Sequence, residues 1–320
     1  MKQKYIIPAV LLLQSFVMFS QEADYGHGYR TIMMNNPAFA GATGDGILRL
    51  SYLNFYPGNS YDLHSIHASY DSYFEPLHGG AGIWITDDYL GGIINDMRGG
   101  VSYAYSLQAG KELFIKAGLS AGFFYRGLNF RGAVLPDMID PIGGVMFPTG
   151  ETLVPGSSTA FDAGTGFLFI YRDFVGGFSV NHLFEPDLSR GAQTERLKRK
   201  ISANASWNIP MGENRSIALR PSCFLQLQGD YIGAGAGSSL ETRPMAISLI
   251  LMGDNNRNLN IQAGFSVKTG RLGLFYNYRF NMASPNNLIP LSLLHQAGVN
   301  FSLNTVDKRN VPGTISLPEL

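Results

Sequence analysis

Charge is scarce in this sequence. Lys, Arg, Asp and Glu make up 15% of its 320 residues, against about 25% in an ordinary soluble domain. The 24 basic residues balance the 24 acidic ones, and neither a basic stripe nor an acidic tail is present, so the electrostatic footprint of a nucleic-acid binder is missing. Cysteine is nearly absent too. The single Cys223 excludes an internal disulfide, and with no Lys, Arg or His within two residues it reads as a small apolar side chain rather than an activated thiol. Beyond the N-terminus no apolar run reaches the length that a bilayer-crossing helix needs, about 18 residues or more.

What is abundant is glycine (38), phenylalanine (21) and tyrosine (16). The chain opens MKQKYIIPAVLLLQSFVMFSQ, with Lys2 and Lys4, an apolar run from Tyr5 to Val17 and a small residue, Ser20, at the cleavage position. This pattern predicts a cleaved secretory signal peptide over 1–20. An exported chain, poor in charge and rich in glycine and aromatics, fits a transmembrane β-barrel.

Periodicity points the same way. In "ISANASWNI" Ile201, Ala203, Ala205, Trp207 and Ile209 share one face, and Ser202, Asn204, Ser206 and Asn208 the other. The alternation recurs in "RNLNIQAGFSV", in "RLGLFYNYRFN" and towards the C-terminus, where Leu291, Leu293, Ala297, Val299 and Phe301 share a face. A soluble sandwich also alternates. Here, however, the polar faces are Asn, Ser, Gln, Gly and Thr instead of Lys and Glu, and the segments have the length of membrane-crossing strands, about ten residues. Tyr171, Trp207, Tyr276, Tyr278, Phe280 and Phe301 sit towards segment ends, where interfacial girdles belong.

The predicted fold is all-β, a transmembrane up-and-down antiparallel β-barrel of about 14 strands. Their spans are 46–56, 61–73, 80–87, 97–107, 111–126, 159–171, 173–183, 199–209, 213–228, 230–240, 243–253, 257–268, 270–282 and 291–302. The chain thus divides into the signal peptide, a periplasmic segment 21–45, the barrel 46–302 and a periplasmic tail 303–320. Loop lengths agree with this division. "EPLHG", "QAGK", "YRD", "PMGEN", "SLETR" and "KTGR" are short and fall on one parity, as periplasmic turns should. "DDYLGGIIN" and the stretches 127–158 and 184–198 fall on the other, as external loops. Asp87, Asp88, Asp96, Asp137 and Asp140 are expected in those loops, solvated.

Chemistry-bearing motifs are few. "GLSAG" at 118–122 has the spacing of a nucleophile elbow, which requires a strand, a sharp turn and a helix. Ser120 instead lies inside an alternating run and reads as a lumen-facing strand serine, and no convergent Ser/His/Asp set is visible. His64 and His67 are three apart in a strand, which places their rings on opposite faces, wrong for joint metal ligation. "GAGAGSSL" at 233–240 has no following helix or lysine to make a phosphate loop, so its glycines read as strand glycines. Neither a cofactor nor a metal is expected, and the chain does not read as an enzyme.

Several stretches resemble, in order, the PorP/SprF family of outer-membrane proteins associated with the type IX secretion system. They are "YGHGYRTIMMNNPAFAGATG", "LHSIHASYDSYFEPLHGGAGIWITDDYLGGI", "GGVSYAYSLQAGKELFIKAGLSAGFFYRGLNF" and "DAGTGFLFIYRDFVGGFSVNHLFEPD". The resemblance implies a cell outer membrane protein without enzymatic activity. It would assist export or surface attachment of a secreted cell-surface protein, such as a gliding-type adhesin, with that protein and periplasmic or outer-membrane secretion components as partners. It also makes Asn36, Pro37, Ala38, Phe39 and Gly41 the hallmark of the N-terminal segment, a candidate periplasmic plug. The long loop offers a candidate docking surface through Leu135, Asp137, Met138, Asp140, Met146 and Phe147. The alternative reading is a FadL-like or porin-like transporter of small hydrophobic or polar solutes.

Overall fold

A computed structural model describes residues 32–57, 63–140, 144–145, 147–150, 155–189, 195–212, 216–284 and 293–303. The expected signal peptide over 1–20 and residues 304–320 of the expected tail lie outside the described residues. A short helix α1 (Ile32–Asn35) and a 3-10 turn (Pro37–Phe39) come first. Strands β1 (Ile47–Phe55), β2 (Leu63–Phe74), β3 (Gly79–Leu90), β4 (Ile94–Gln108) and β5 (Leu113–Leu128) follow. A two-residue pair, β6 (Ile139–Asp140) and β7 (Gly144–Val145), decorates the long loop. The chain continues through β8 (Gly156–Tyr171), β9 (Phe174–Asn181), β10 (Lys200–Trp207) and β11 (Ile209–Met211). The last strands are β12 (Ile217–Gln228), β13 (Tyr231–Thr242), β14 (Met245–Asp254), β15 (Leu259–Thr269), β16 (Leu272–Ala283) and β17 (Leu294–Ser302).

Every neighbouring pair in the large sheet is antiparallel. β1 pairs with β17, and β10 pairs with both β9 and β12, so the sheet closes on itself. β10 and β11 are one stave interrupted at Asn208, which makes a closed barrel of 14 strands. Closure gives each of the 14 staves a hydrogen-bonded neighbour on both sides, the condition for spanning a hydrocarbon layer.

Burial is inside out relative to a water-soluble protein. Ile83, Ile85, Val101, Leu119, Leu249 and Leu251 are exposed on the outside, while Thr86, Asp88, Arg98, Ser102, Gln262, Asn277 and Gln296 are buried within. Period-two alternation produces this directly, with apolar side chains facing lipid and polar ones facing the lumen. Tyr171, Trp207 and Phe301 stand at the end of the barrel where β1 begins, as a girdle requires. Tyr276 and Tyr278 do not: they lie in the middle of β16, in ring contact with His295.

The connections 75–78, 109–112, 172–173, 243–244 and 270–271 lie at that same end, the short-turn rim, as do Gly212 and Ser216. One expected external loop is corrected. β3 and β4 run on through "DDYLGGIIN", pairing Asp88 with Asp96, and only 91–93 turn. Gly91 and Gly92 take φ of 64° and 75°, which a tight hairpin demands and which other residues resist. Asp87, Asp88 and Asp96 are therefore strand residues, and Asp88 and Asp96 are buried inside the barrel.

Candidate functional site

The lumen is occupied by the chain's own N-terminal segment. Asn36, Pro37, Ala38, Phe39 and Gly41 are all buried within the barrel. Pro37 disfavours helix at the residue before it, and Asn36 is extended, with φ −143° and ψ 108°. Asn36 caps the 3-10 turn, its Oδ1 accepting from Ala38 N at 3.0 Å. Its Nδ2 donates to the carbonyls of Phe167 and Phe178 at 3.3 and 3.4 Å. The preceding carbonyl, of Asn35, accepts from Ser179 Oγ at 2.8 Å and from Asn181 Nδ2 at 2.7 Å. Further on, Gly41 turns with φ 60° and its N–H donates to Asp71 Oδ2 at 2.8 Å. Asp71 also pairs with Arg49.

The wall under this segment is built to receive a backbone. Gly80 stands opposite Ala104, Ala104 opposite Gly118, and Gly118 opposite Gly166, a row of minimal side chains across β3, β4, β5 and β8. A Cβ at Gly118 would lie 2.2 Å from Ala38 N, one at Gly80 2.0 Å from Ala40 O, and one at Gly166 2.1 Å from Asn36 Oδ1. Only glycine permits that approach. Around the row the segment makes apolar seals. Phe39, Ala38, Ala42 and Ile32 cluster with Leu168, Ile170 and Val175, and Met34 packs with Leu53 and Leu294.

The opposite mouth is narrowed by a second inward segment. After β9 the chain turns at His182, φ 57°, and residues 186–189 lie beside 195–197, with Leu188 N donating to Glu195 O and Leu197 N to Pro186 O. Leu188 and Leu197 are buried against Phe124 and Ala160. Arg126 binds Asp96 through two bonds of 2.7 Å and pairs with Glu195 of the cap. The guanidinium carbons of Arg98 and Arg126 each lie 5.6 Å from the Phe124 ring centre, and Arg98 pairs with Asp88 at 2.6 Å. At the exposed tip of this cap, Ser189 donates from its N–H and hydroxyl to Asp187 and holds that carboxyl below the usual range. The polar alternation predicts an inner face of neutral residues; the structure shows ion pairs within, and an inward-packed segment at 182–189 and 195–199.

Beside the N-terminal segment, at Met34 and Asn35, lies a chamber lined by Trp84, Arg98, Ser120, Asp162, His182 and Lys200. It gathers a serine, a histidine and an aspartate that the sequence did not show to converge, with His182 Nδ1 2.6 Å from Asp162 Oδ2. Ser120, though, sits in unbroken β5, without the sharp turn and helix start that build an oxyanion hole. His67 points inward to Thr86 Oγ1 at 2.9 Å, whereas His64 stacks outside on Tyr89, so the two rings do face apart. Among the described residues no group of three or more His, Cys, Asp or Glu is placed to hold a metal. Cys223 is exposed on the outer face.

The external-loop candidates separate. Asp137 accepts from Thr149 Oγ1 and Gly150 N at 2.9 and 2.8 Å, fixing the loop's shape. Leu135 and Met138 form its half-buried turn, and Asp140 pairs with Gly144 in the small hairpin. Phe147 is exposed, along with Val134 and Ile139. Met146 lies outside the described residues.

Comparison with known proteins places this geometry. Residues 17–288 match the family described as type IX secretion system membrane protein PorP/SprF. No curated protein matches the sequence. Among solved structures, the TodX deltaS2S3 mutant, a monoaromatic hydrocarbon channel, is 12% identical over 87% of this chain and 95% of its own, with a TM-score of 0.51. The Pseudomonas putida toluene transporter TodX is 10% identical, with coverages of 90% and 96% and a TM-score of 0.49. The Acinetobacter baumannii outer membrane protein Omp33 is 8% identical, with coverages of 82% and 99% and a TM-score of 0.49. At such identities the likeness is one of fold. The match spanning most of the chain and the closed barrel agree: this protein belongs to the PorP/SprF family of type IX secretion system membrane proteins.

Proposed function

We propose that the chain is a non-enzymatic outer-membrane component of the type IX secretion system that assists export or surface attachment of a secreted protein, such as a gliding-type adhesin. The observation that carries this reading is the occupied lumen: residues 32–46 sit where a solute path would run, which leaves the two rims as the working surfaces. In this reading the short-turn rim faces the periplasm and meets secretion components. The opposite rim meets the secreted partner through Leu135, Asp137, Met138, Asp140, Met146 and Phe147, with the exposed Phe147 as the apolar contact. A FadL-like or porin-like transporter would need a conduit through the space that the seated N-terminal segment fills, and solute flux through that space would favour this second reading.

The test is purification of the tagged protein from cross-linked native outer membranes. A large surface protein or a secretion component should accompany it, and removal of residues 134–150 should abolish surface display of that partner while the barrel still inserts. An eluate with neither class of protein would overturn the reading.

A further inference from the structure

Lys116 projects from β5 into the lumen and is wholly buried, 0% exposed. Two residues along the same face is Gly118, which touches Ala38, and directly across the sheet is Leu168, which packs in the Phe39 cluster. Among the described residues its Nζ has no hydrogen-bond partner, and neither has the buried Oγ of Ser106, the residue opposite it on β4. Asp71, the carboxylate whose charge acts on Lys116, is already engaged by Arg49 and by the Gly41 N–H of the segment. A seated segment therefore seals an ammonium away from water without supplying an acceptor, and that disfavours the seated state.

The segment is also free to leave without harm to the barrel. The β1 ladder to β2 and β17 begins at Ile47, preceded by one bond from Leu303 N to Gly46 O, so residues 32–45 contribute no strand pairing. Gly44, with φ 77°, provides a bend between the segment and the strand.

We propose that residues 32–43 are a displaceable stopper and that Lys116 sets how readily it leaves. Departure lets water reach Nζ and Ser106 Oγ, while the wall of the barrel keeps every ladder hydrogen bond. This does not rest on the secretion reading and concerns only the protein's own conformations.

The test uses the full mature chain in detergent with Cys223→Ser, so that a reporter Ser102→Cys is the single thiol. Ser102 is buried and stands opposite Ser120, in the layer next to the glycine row. Its reaction with a water-soluble maleimide reads the opening of the stopper. The reporter should react slowly in the Lys116 protein, at least tenfold more slowly with Lys116→Met, which keeps side-chain volume and removes the ammonium, and at once when residues 32–43 are deleted. Hydrogen exchange at the Ala38 and Gly41 amides, in protein without the reporter, should slow by the same factor in Lys116→Met and gives a second reading if a labelling variant fails to fold. Reaction in Lys116→Met at an equal or faster rate, or no reaction at all short of denaturant, would overturn the proposal.

Discussion

Gly118→Ala adds one methyl group at the point where the N-terminal segment lies closest to the wall. The new Cβ would stand 2.2 Å from Ala38 N and 2.5 Å from both Ala38 Cα and Pro37 C. All three are main-chain atoms, so no rotamer change relieves the overlap. Restoring an ordinary contact of 3.4 Å requires the segment to move off the wall by about 1.2 Å, the difference between those distances. The bonds from Asn36 Nδ2, already 3.3 and 3.4 Å long, lie at this contact and would break. Overpacking costs ~1–3 kcal/mol, and each hydrogen bond lost adds ~1 kcal/mol. With both bonds lost, a total of about 3 to 5 kcal/mol corresponds to opening favoured by roughly 100- to 4,000-fold, at tenfold per ~1.4 kcal/mol. Hydrogen exchange followed by mass spectrometry over 36–42 should rise on that scale, while the barrel strands keep their protection. The control is Gly273→Ala, another glycine of the barrel wall, where the nearest atom to an added Cβ is 3.8 Å away. Exchange over 36–42 that is the same in Gly118→Ala and the control would refute the claim that the glycine row seats the backbone.

Three further outcomes follow from the same geometry. Asn36→Ala removes the turn cap and both carbonyl contacts, so exchange at Ala38 should rise by tenfold or more, at about 1 kcal/mol per bond. Leu197→Ala, in the buried cluster with Phe124 and Leu188, should loosen the cap by about 2 kcal/mol or more. Faster tryptic cleavage after Arg196, Lys198 or Arg199 would report it, and unchanged cleavage would count against an inward-folded cap. Leu119→Arg places a charge on the outer face mid-strand, where Leu119 is exposed, at a cost of ~2–4 kcal/mol if that face meets lipid. Heat-modifiable migration after refolding into vesicles should fall accordingly, and full refolding would speak against a lipid-facing position.

Strand number and in/out alternation were legible because a period of two is a local property, written in stretches such as "ISANASWNI". The lumen was less so. Gly118 and Gly122 drew notice as flanks of Ser120, but the seating of Ala38 on Gly118 is a contact between positions 80 apart, which spacing alone does not record. Asp88 and Asp96 were assigned to solvent because carboxylates near Gly-Gly suggest a loop. Their real environment is set by Arg98 and Arg126, which arrive across neighbouring strands. The cap was missed because Leu188 and Leu197 are two isolated apolar residues with no periodicity between them. Position of the 36–41 segment ahead of the first strand pointed to the barrel's mouth, but not to the depth at which Asn35 meets Asn181.

The row of Gly80, Ala104, Gly118 and Gly166 has a bearing on how the barrel is made. The segment and the glycine row both lie within the first 171 residues, the row on strands that are consecutive neighbours in the sheet. The seam that shuts the cylinder, β1 against β17, joins the first strand to the last. A half-finished, open sheet can thus already hold residues 32–46 on its concave side, and the later strands then wrap around a former that is in place. Insertion from outside through a finished rim is not required, and a chain lacking those residues would have to curl without its mandrel.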